Sequence, residues 1–213
     1  MAEVSALICM LACLVVVSME SGWANPRLRL LGKSIASLAM VGFAVAVGAG
    51  QSPAGICFLV GLCLSGVGDA LIARPTDDLA RGLAAFLGAH VAYIAAFGIL
   101  GGSIVGIAYA AVILLPISIA VWRRISPHAG ELKHKLTAYL LVISVMLLAA
   151  CGSTWSDPSA SRQLLLVSAM GFAVSDLFVA EQRFRRPHWS RVALGLPLYY
   201  LAQLGIGAGA GGL

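Results

Sequence analysis

Apolar residues run through this chain in long stretches, broken by short polar segments rich in Arg and Lys. A helix that crosses a bilayer needs about 20 mostly apolar residues. Eight stretches qualify, at roughly 4–20, 30–50, 54–73, 79–100, 102–122, 135–152, 163–182 and 192–210. Residues 79–122 are too long for one span and divide at Gly101-Gly102, with almost no loop between the two halves. Pro116 falls inside the fifth span, where a bundle tolerates it as a kink, and no other span shows an obvious proline or paired glycine break. The expected fold is all-α: a polytopic transmembrane bundle of eight helices forming one domain over residues 1–213.

Composition points the same way. The 213 residues are 60% hydrophobic and 11% charged, whereas soluble domains carry about 25% charged residues. A water-soluble core of this size could not hide so much apolar surface, so the solvent is lipid. The N-terminus does not read as a cleaved signal: Glu3 stands where Lys or Arg belongs, and the apolar run continues as a span.

The net charge of +5 raises the question of nucleic acid, but the positions of the charges exclude that partner. Arg27, Arg29, Lys33, Arg74, Arg81, Arg123, Arg124, Lys133, Lys135, Arg183, Arg185, Arg186 and Arg191 fall on one side of an eight-span topology, and of the fourteen basic residues only Arg162 falls on the other. Lys/Arg bias sets orientation. Both termini are therefore expected on the non-cytoplasmic side, in a bacterial inner (plasma) membrane. A seven-span topology would scramble the bias.

The two halves look related. Spans one to four and five to eight enter from the same side, and "GVGDALIAR" and "AVSDLFVAEQR" place an Asp in the third span of each half. This suggests a 4+4 parallel pseudo-repeat about an axis along the membrane normal. The five cysteines sit in or beside apolar segments without a CxxC pair or a Cys/His spacing. Cys9 and Cys13 read as small core residues, and neither a metal nor another cofactor is expected.

Ionisable groups inside spans usually face a bundle interior or a wet cavity. An Asp at mid-helix costs about 2.5–3.5 kcal/mol on the insertion scale. Asp69 lies about four residues, or ~6 Å, from the inner end of span three, and Asp176 about six residues, or ~9 Å, from that of span seven. His90 lies near the middle of span four, and Tyr199, Tyr200 and Gln203 lie in the inner half or middle of span eight. These depths overlap, which permits one cavity open toward the cytoplasm. Gly61, Ser65 and Asp69 repeat every four residues and share a helix stripe, as do Phe86 with His90 and Tyr199 with Gln203.

Each residue also has a plainer role. A membrane Asp can accept hydrogen bonds from a neighbouring helix and lock the bundle, and basic residues at span ends anchor headgroups. Tyr93 and Tyr109 read as packing residues, and Asp77 and Asp78 as a loop or a helix-start cap. His128, His134 and His188 lie in loops, which argues against a three-histidine metal site. Lys33 begins span two, where its amine can reach an inner-facing cavity. The RFRR cluster at 183–186 is mainly a topology signal.

Five segments in series, "GLCLSGVGDALI", "RGLAAFLGAHVAYI", "TAYLLVISVML", "GFAVSDLFVAEQRF" and "LYYLAQLGI", resemble the YhhN-like lysoplasmalogenase family. The resemblance covers most of the chain from Lys33 onward. It implies an eight-helix enzyme that cleaves the vinyl-ether bond of lysoplasmalogens to a fatty aldehyde and glycerophospho-ethanolamine or -choline. Its elements fall on Asp69, His90, Ser175–Asp176 and Tyr199–Tyr200–Gln203, with Asp69, Asp176, His90, Tyr199 and Tyr200 as the implied catalytic set. Lys33, Ser65, Arg81, Tyr139, Ser175 and Gln203 are the implied substrate contacts. Two departures bear on the phosphate end: Ser34 replaces the family's proline after Lys33, and Gln182, with Glu181 beside it, replaces an acidic residue.

Vinyl-ether hydrolysis requires a proton on the β-carbon, then water at the carbon bonded to oxygen, and collapse of the resulting hemiacetal. A carboxylic acid and a carboxylate suit those steps. Burial favours the neutral acid, and neighbouring carboxylates separate in proton affinity, so one of Asp69 and Asp176 can stay protonated near neutrality. The expected partners are a lysophospholipid and membrane lipid, with no obligate protein partner. Two other readings compete: a small proton-coupled transporter, and a lysolipid ester or amide hydrolase.

Overall fold

The computed structural model describes residues 1–20, 25–74, 79–185 and 187–213. Asp77, Asp78 and Arg186 of the RFRR cluster lie outside these residues. The described chain forms eight helices long and apolar enough to cross a membrane: α1 (Ala2–Glu20), α2 (Pro26–Ala46), α3 (Pro53–Ala73), α4 (Leu79–Leu100), α5 (Ile104–Ile125), α6 (Lys133–Ser156), α7 (Ala160–Phe184) and α8 (Trp189–Gly211).

The boundaries follow local chemistry rather than hydropathy, and one correction matters. Helix α2 begins near residue 26, not 30, because Pro26 occupies the first helical position and the Asn25 side chain accepts from the Arg27 N–H. It ends at Ala46, before Gly48 in the left-handed region (φ 90°) and a 3-10 turn at Ala49–Gln51. Lys33 therefore lies about two turns inside the helix instead of at its start. The Gly101 break is as expected: Gly101 takes φ 74°, a conformation favouring glycine, and Ser103 caps α5 through Gly106 N–H. A second interior proline, Pro197, sits in α8, contrary to the expectation that Pro116 stands alone.

Lipid is as apolar as leucine, so helices in a membrane associate through close packing and polar contacts. The α3–α4 pair shows how. A Cβ on Gly61 would overlap the buried Tyr93 ring, and one on Gly68 would lie 2.7 Å from the Phe86 ring. Gly61 and Gly68 therefore each make room for an aromatic ring of α4. Phe58, Tyr93, Phe97, Phe172 and Tyr200 fill the centre, while Leu38, Val112 and Ile113 face outward.

Neighbour relations repeat under a shift of four helices. Helix α1 packs on α2 as α5 does on α6, α2 on α3 as α6 on α7, α3 on α4 as α7 on α8, and α2 on α8 as α6 on α4. The 4+4 pseudo-repeat is thus a property of the packing as well as of two short sequence matches. Helix α5 departs from it. Where α1 also packs on α8, α5 is held almost wholly by α6, through Ser118–Ser144 and Trp122–Thr137 hydrogen bonds of 2.9 Å each.

Both termini lie at one end of the bundle: Ser5 of α1 approaches Gly42 near the end of α2, and Ser161 donates to the Gly212 carbonyl at the end of α8. Arg162 belongs to this end, with its guanidinium on Asp157 (3.2 Å) and the Ser153 carbonyl (3.0 Å). The other basic helix-end residues gather at the opposite end, where Glu181 binds Arg124, Arg185 and Arg191.

Candidate active site

The two aspartates sit in separate polar clusters. Asp69 is buried, and Oδ2 accepts from Ser37 of α2 (2.9 Å) and Tyr200 of α8 (3.1 Å). Its Oδ1 faces the Lys33 ammonium at 3.4 Å. Every one of these partners donates, and the Lys33 ammonium is the charged one among them. Carboxylates paired this way avoid the large cost of an isolated buried charge.

Asp176 has a different company. Oδ2 accepts from Tyr139 of α6 (2.9 Å) and lies 3.2 Å from His90 Nε2 of α4. His90 Nδ1 is 2.7 Å from the Phe86 carbonyl, which can only accept, so Nδ1 carries a proton. Nε2 then faces Asp176 Oδ2 at 3.2 Å from a buried position, without a fully formed hydrogen bond. His90 is stacked on Phe172 (centroids 4.5 Å apart), which fixes the ring plane. The two carboxylates do not bond to each other and form two centres with distinct surroundings.

Both centres open into one cavity of about 720 Å³, with Asp69, Asp176, Tyr139, Ser175 and Tyr199 in its wall. Tyr199 is buried between Tyr200 and Phe172, and among the described residues its hydroxyl forms no hydrogen bond of good geometry. A buried hydroxyl placed this way in a cavity wall can engage a ligand. One end of the cavity is basic: Arg29, Lys33, Arg74, Lys135, Arg183 and Arg191 line it, six cations against the two carboxylates. The remaining wall is mainly apolar and includes Leu114, Ile117, Ile143 and Val174. Ile117 of α5 and Val174 of α7 are both part of this wall and are about half exposed.

Other expected residues lie elsewhere. Gln203 and Ser65 are fully buried and spent on a relay: Tyr93 donates to Gln203 Oε1 (2.7 Å), and Gln203 Nε2 donates to Ser65 (2.9 Å). Neither lines the cavity among the described residues. Gln203→Leu is accordingly expected to lower the thermal unfolding midpoint in detergent, through the stranded Tyr93 and Ser65 hydroxyls at about 1–3 kcal/mol. KM for a lipid substrate should change less than twofold; a large KM increase with unchanged stability would place Gln203 on the substrate. Ser175 lines the cavity, but its hydroxyl donates to the Phe172 carbonyl within α7 (2.7 Å). Arg81 is exposed and outside the cavity wall. Among the described residues, no group of three His, Cys, Asp or Glu side chains is placed to hold a metal ion.

Sequence reasoning missed Ser37, Arg29 and Arg191. Ser37 carried a signal, since it follows Lys33 by one helical turn and shares its face. Arg29 and Arg191 read as topology charges, and nothing in their local sequence separates a cavity-lining arginine from a headgroup anchor.

Eight apolar helices around a buried, charged cavity define a polytopic membrane protein with an internal polar site. The sequence model of the YhhN family matches residues 28–210, and the chain belongs to that family. No curated protein and no solved structure matches it.

Proposed function

We propose that this protein hydrolyses the vinyl-ether bond of lysoplasmalogens, releasing a fatty aldehyde and glycerophospho-ethanolamine or -choline at the cytoplasmic face of the membrane. The observation that carries this reading is that Asp69 and Asp176 line one cavity with a basic end and an apolar wall. A lysolipid has the same polarity, with an anionic phosphate at one end, a hydrocarbon chain at the other and the vinyl ether between.

In this mechanism the proton held between Asp176 and His90 passes to the β-carbon of the vinyl ether. The double-bond electrons form the new C–H bond and leave an oxocarbenium cation at the carbon bonded to oxygen. The new negative charge on Asp176 stabilises that cation. Water adds to the cation as Asp69 takes one of its protons, giving a neutral hemiacetal. The hemiacetal hydroxyl then returns its proton to the Asp176–His90 couple. The C–O bond breaks, and Asp69 gives its proton to the departing glycerol oxygen, assisted by the Tyr199 hydroxyl. One water is consumed and both carboxyl groups end as they began.

The test uses purified protein and matched lysophospholipids that differ only in a vinyl-ether or ester linkage. Aldehyde from the vinyl ether, with no acid from the ester, is the expected result. Fatty acid from the ester without aldehyde would instead make the protein a lysolipid ester hydrolase. Proton flux across vesicles with no turnover of either lipid would make it a transporter.

A further inference from the structure

The geometry points to Lys33 as a substrate-operated cap on Asp69: a phosphate bound at the basic end of the cavity draws the ammonium away and frees the carboxylate to act as base. This inference rests on the vinyl-ether reading above and adds to it a means of selecting phosphate-bearing substrates.

The two oxygens of Asp69 are unequally engaged. Oδ2 is occupied by Ser37 and Tyr200, at 2.9 and 3.1 Å, and these bonds fix the carboxyl plane. Oδ1 faces the Lys33 ammonium. The ammonium takes one acceptor site of this oxygen and lowers its basicity, so Oδ1 takes a proton from water readily only when the ammonium is elsewhere. The contact itself is loose: 3.4 Å, against about 2.7–2.9 Å for a well-formed charge-assisted hydrogen bond.

Lys33 is also the group best placed to move. Its side chain is 14% exposed where that of Asp69 is 3% exposed, and it borders the cavity that Asp69 opens into. Its stem has four rotatable carbons and carries a point charge that binds phosphate without the fixed geometry of a guanidinium. The cations beside it, Arg29 and Arg74 among them, set the end of the cavity where an anion collects. Arg29 itself is steadied by the Ala73 carbonyl at 3.4 Å, one helical turn beyond Asp69 on α3.

The charge balance explains why the cap stays closed without substrate. With no anion bound, moving the ammonium away leaves both Lys33 and Asp69 charged and unpaired in a buried site. A bound phosphate compensates Lys33, and the oxocarbenium that forms nearby compensates the exposed carboxylate. Binding energy from a part of the substrate that does not react is thereby used at the reacting centre.

The experiment compares lysoplasmalogen with the corresponding 1-alkenylglycerol, which keeps the vinyl ether and lacks the phosphate. For the wild-type protein, kcat/KM for the alkenylglycerol should be at least 100-fold lower. Dimethyl phosphate, a monoanionic diester like the headgroup, should raise it at least tenfold, whereas sodium chloride at equal ionic strength should not. In Lys33→Gln, turnover of the alkenylglycerol should be insensitive to dimethyl phosphate. Equal turnover of the two substrates by wild type overturns the inference, as does a slow alkenylglycerol reaction that dimethyl phosphate leaves unchanged. The wild-type arms decide the matter even where Lys33→Gln yields no folded protein. Absence of aldehyde from lysoplasmalogen itself removes the underlying reading and this inference with it. A positive lysoplasmalogen assay with a failed phosphate effect removes the inference alone.

Discussion

Asp176→Asn is expected to give a folded protein that releases aldehyde from lysoplasmalogen about 10²–10⁴-fold more slowly than wild type, the usual range for a positioned general acid. The substitution keeps the shape of the side chain, and the amide oxygen can still accept from Tyr139, which now bonds the carboxylate at 2.9 Å. What disappears is the group that, in the proposed mechanism, shares a proton with His90 and becomes anionic as the cation forms. The effect should fall on kcat, because the side chain acts on charge that develops only in the transition state. Tyr139→Phe removes a hydrogen bond to the same oxygen without removing the acid, and a far smaller loss is expected. Aldehyde release from purified variants, with circular dichroism to verify folding, measures both. A near-wild-type rate in folded Asp176→Asn would exclude Asp176 as the proton donor.

The second large effect concerns stability. Lys33→Met is expected to destabilise the bundle by about 3 kcal/mol, at the lower end of the range for breaking a buried ion pair. Asp69 would keep its bonds from Ser37 and Tyr200 but lose its counter-charge in a site where its side chain is 3% exposed. The methionine fills most of the space of the lysine stem, so the loss reports charge rather than a cavity. Adding Asp69→Asn to Lys33→Met should recover most of the loss, since a neutral amide needs no counter-ion and both hydroxyl donors can still find its oxygen. Unfolding midpoints of the two single variants, the double variant and wild type in one detergent form the cycle that checks this. A double variant less stable than Lys33→Met would mean that the Lys33–Asp69 attraction contributes little.

Around Asp69 a structural lock is compatible with the proposed catalytic role. The bonds from α2 and α8 hold α3 in the bundle, and the same bonds orient the carboxylate that borders the cavity. The pseudo-repeat extends to this level. Asp69 on α3 is met from α2 and α8, and Asp176 on α7 from α6 and α4, which are the helices related by the shift of four. The residues at the related places have diverged, with Lys33 and Tyr200 around one carboxylate and Tyr139 and His90 around the other. Two equivalent scaffolds thus surround their aspartates with different charges, which suits the acid and base roles proposed for them.

The number of helices, the division at Gly101, the gathering of basic residues at one end and the two aspartates inside the spans were all legible in the sequence. Each follows from a local property: the length of an apolar run, the conformational freedom of one glycine, the placement of loop charges, the cost of a carboxylate in hydrocarbon. Only the tertiary structure decided which group meets which. Lys33 and Asp69 are 36 residues apart, Tyr200 and Asp69 are 131 apart, and the rotation of each helix that joins them depends on packing along its whole length. The same packing turned Gln203 and Ser65 into an internal relay, left α5 loosely attached beside the cavity, and placed His90 Nε2 against Asp176. Hydropathy records how much a residue prefers lipid to water. It carries no information about the direction a polar side chain faces once its helix is surrounded by others, and that direction separates the two centres of this site.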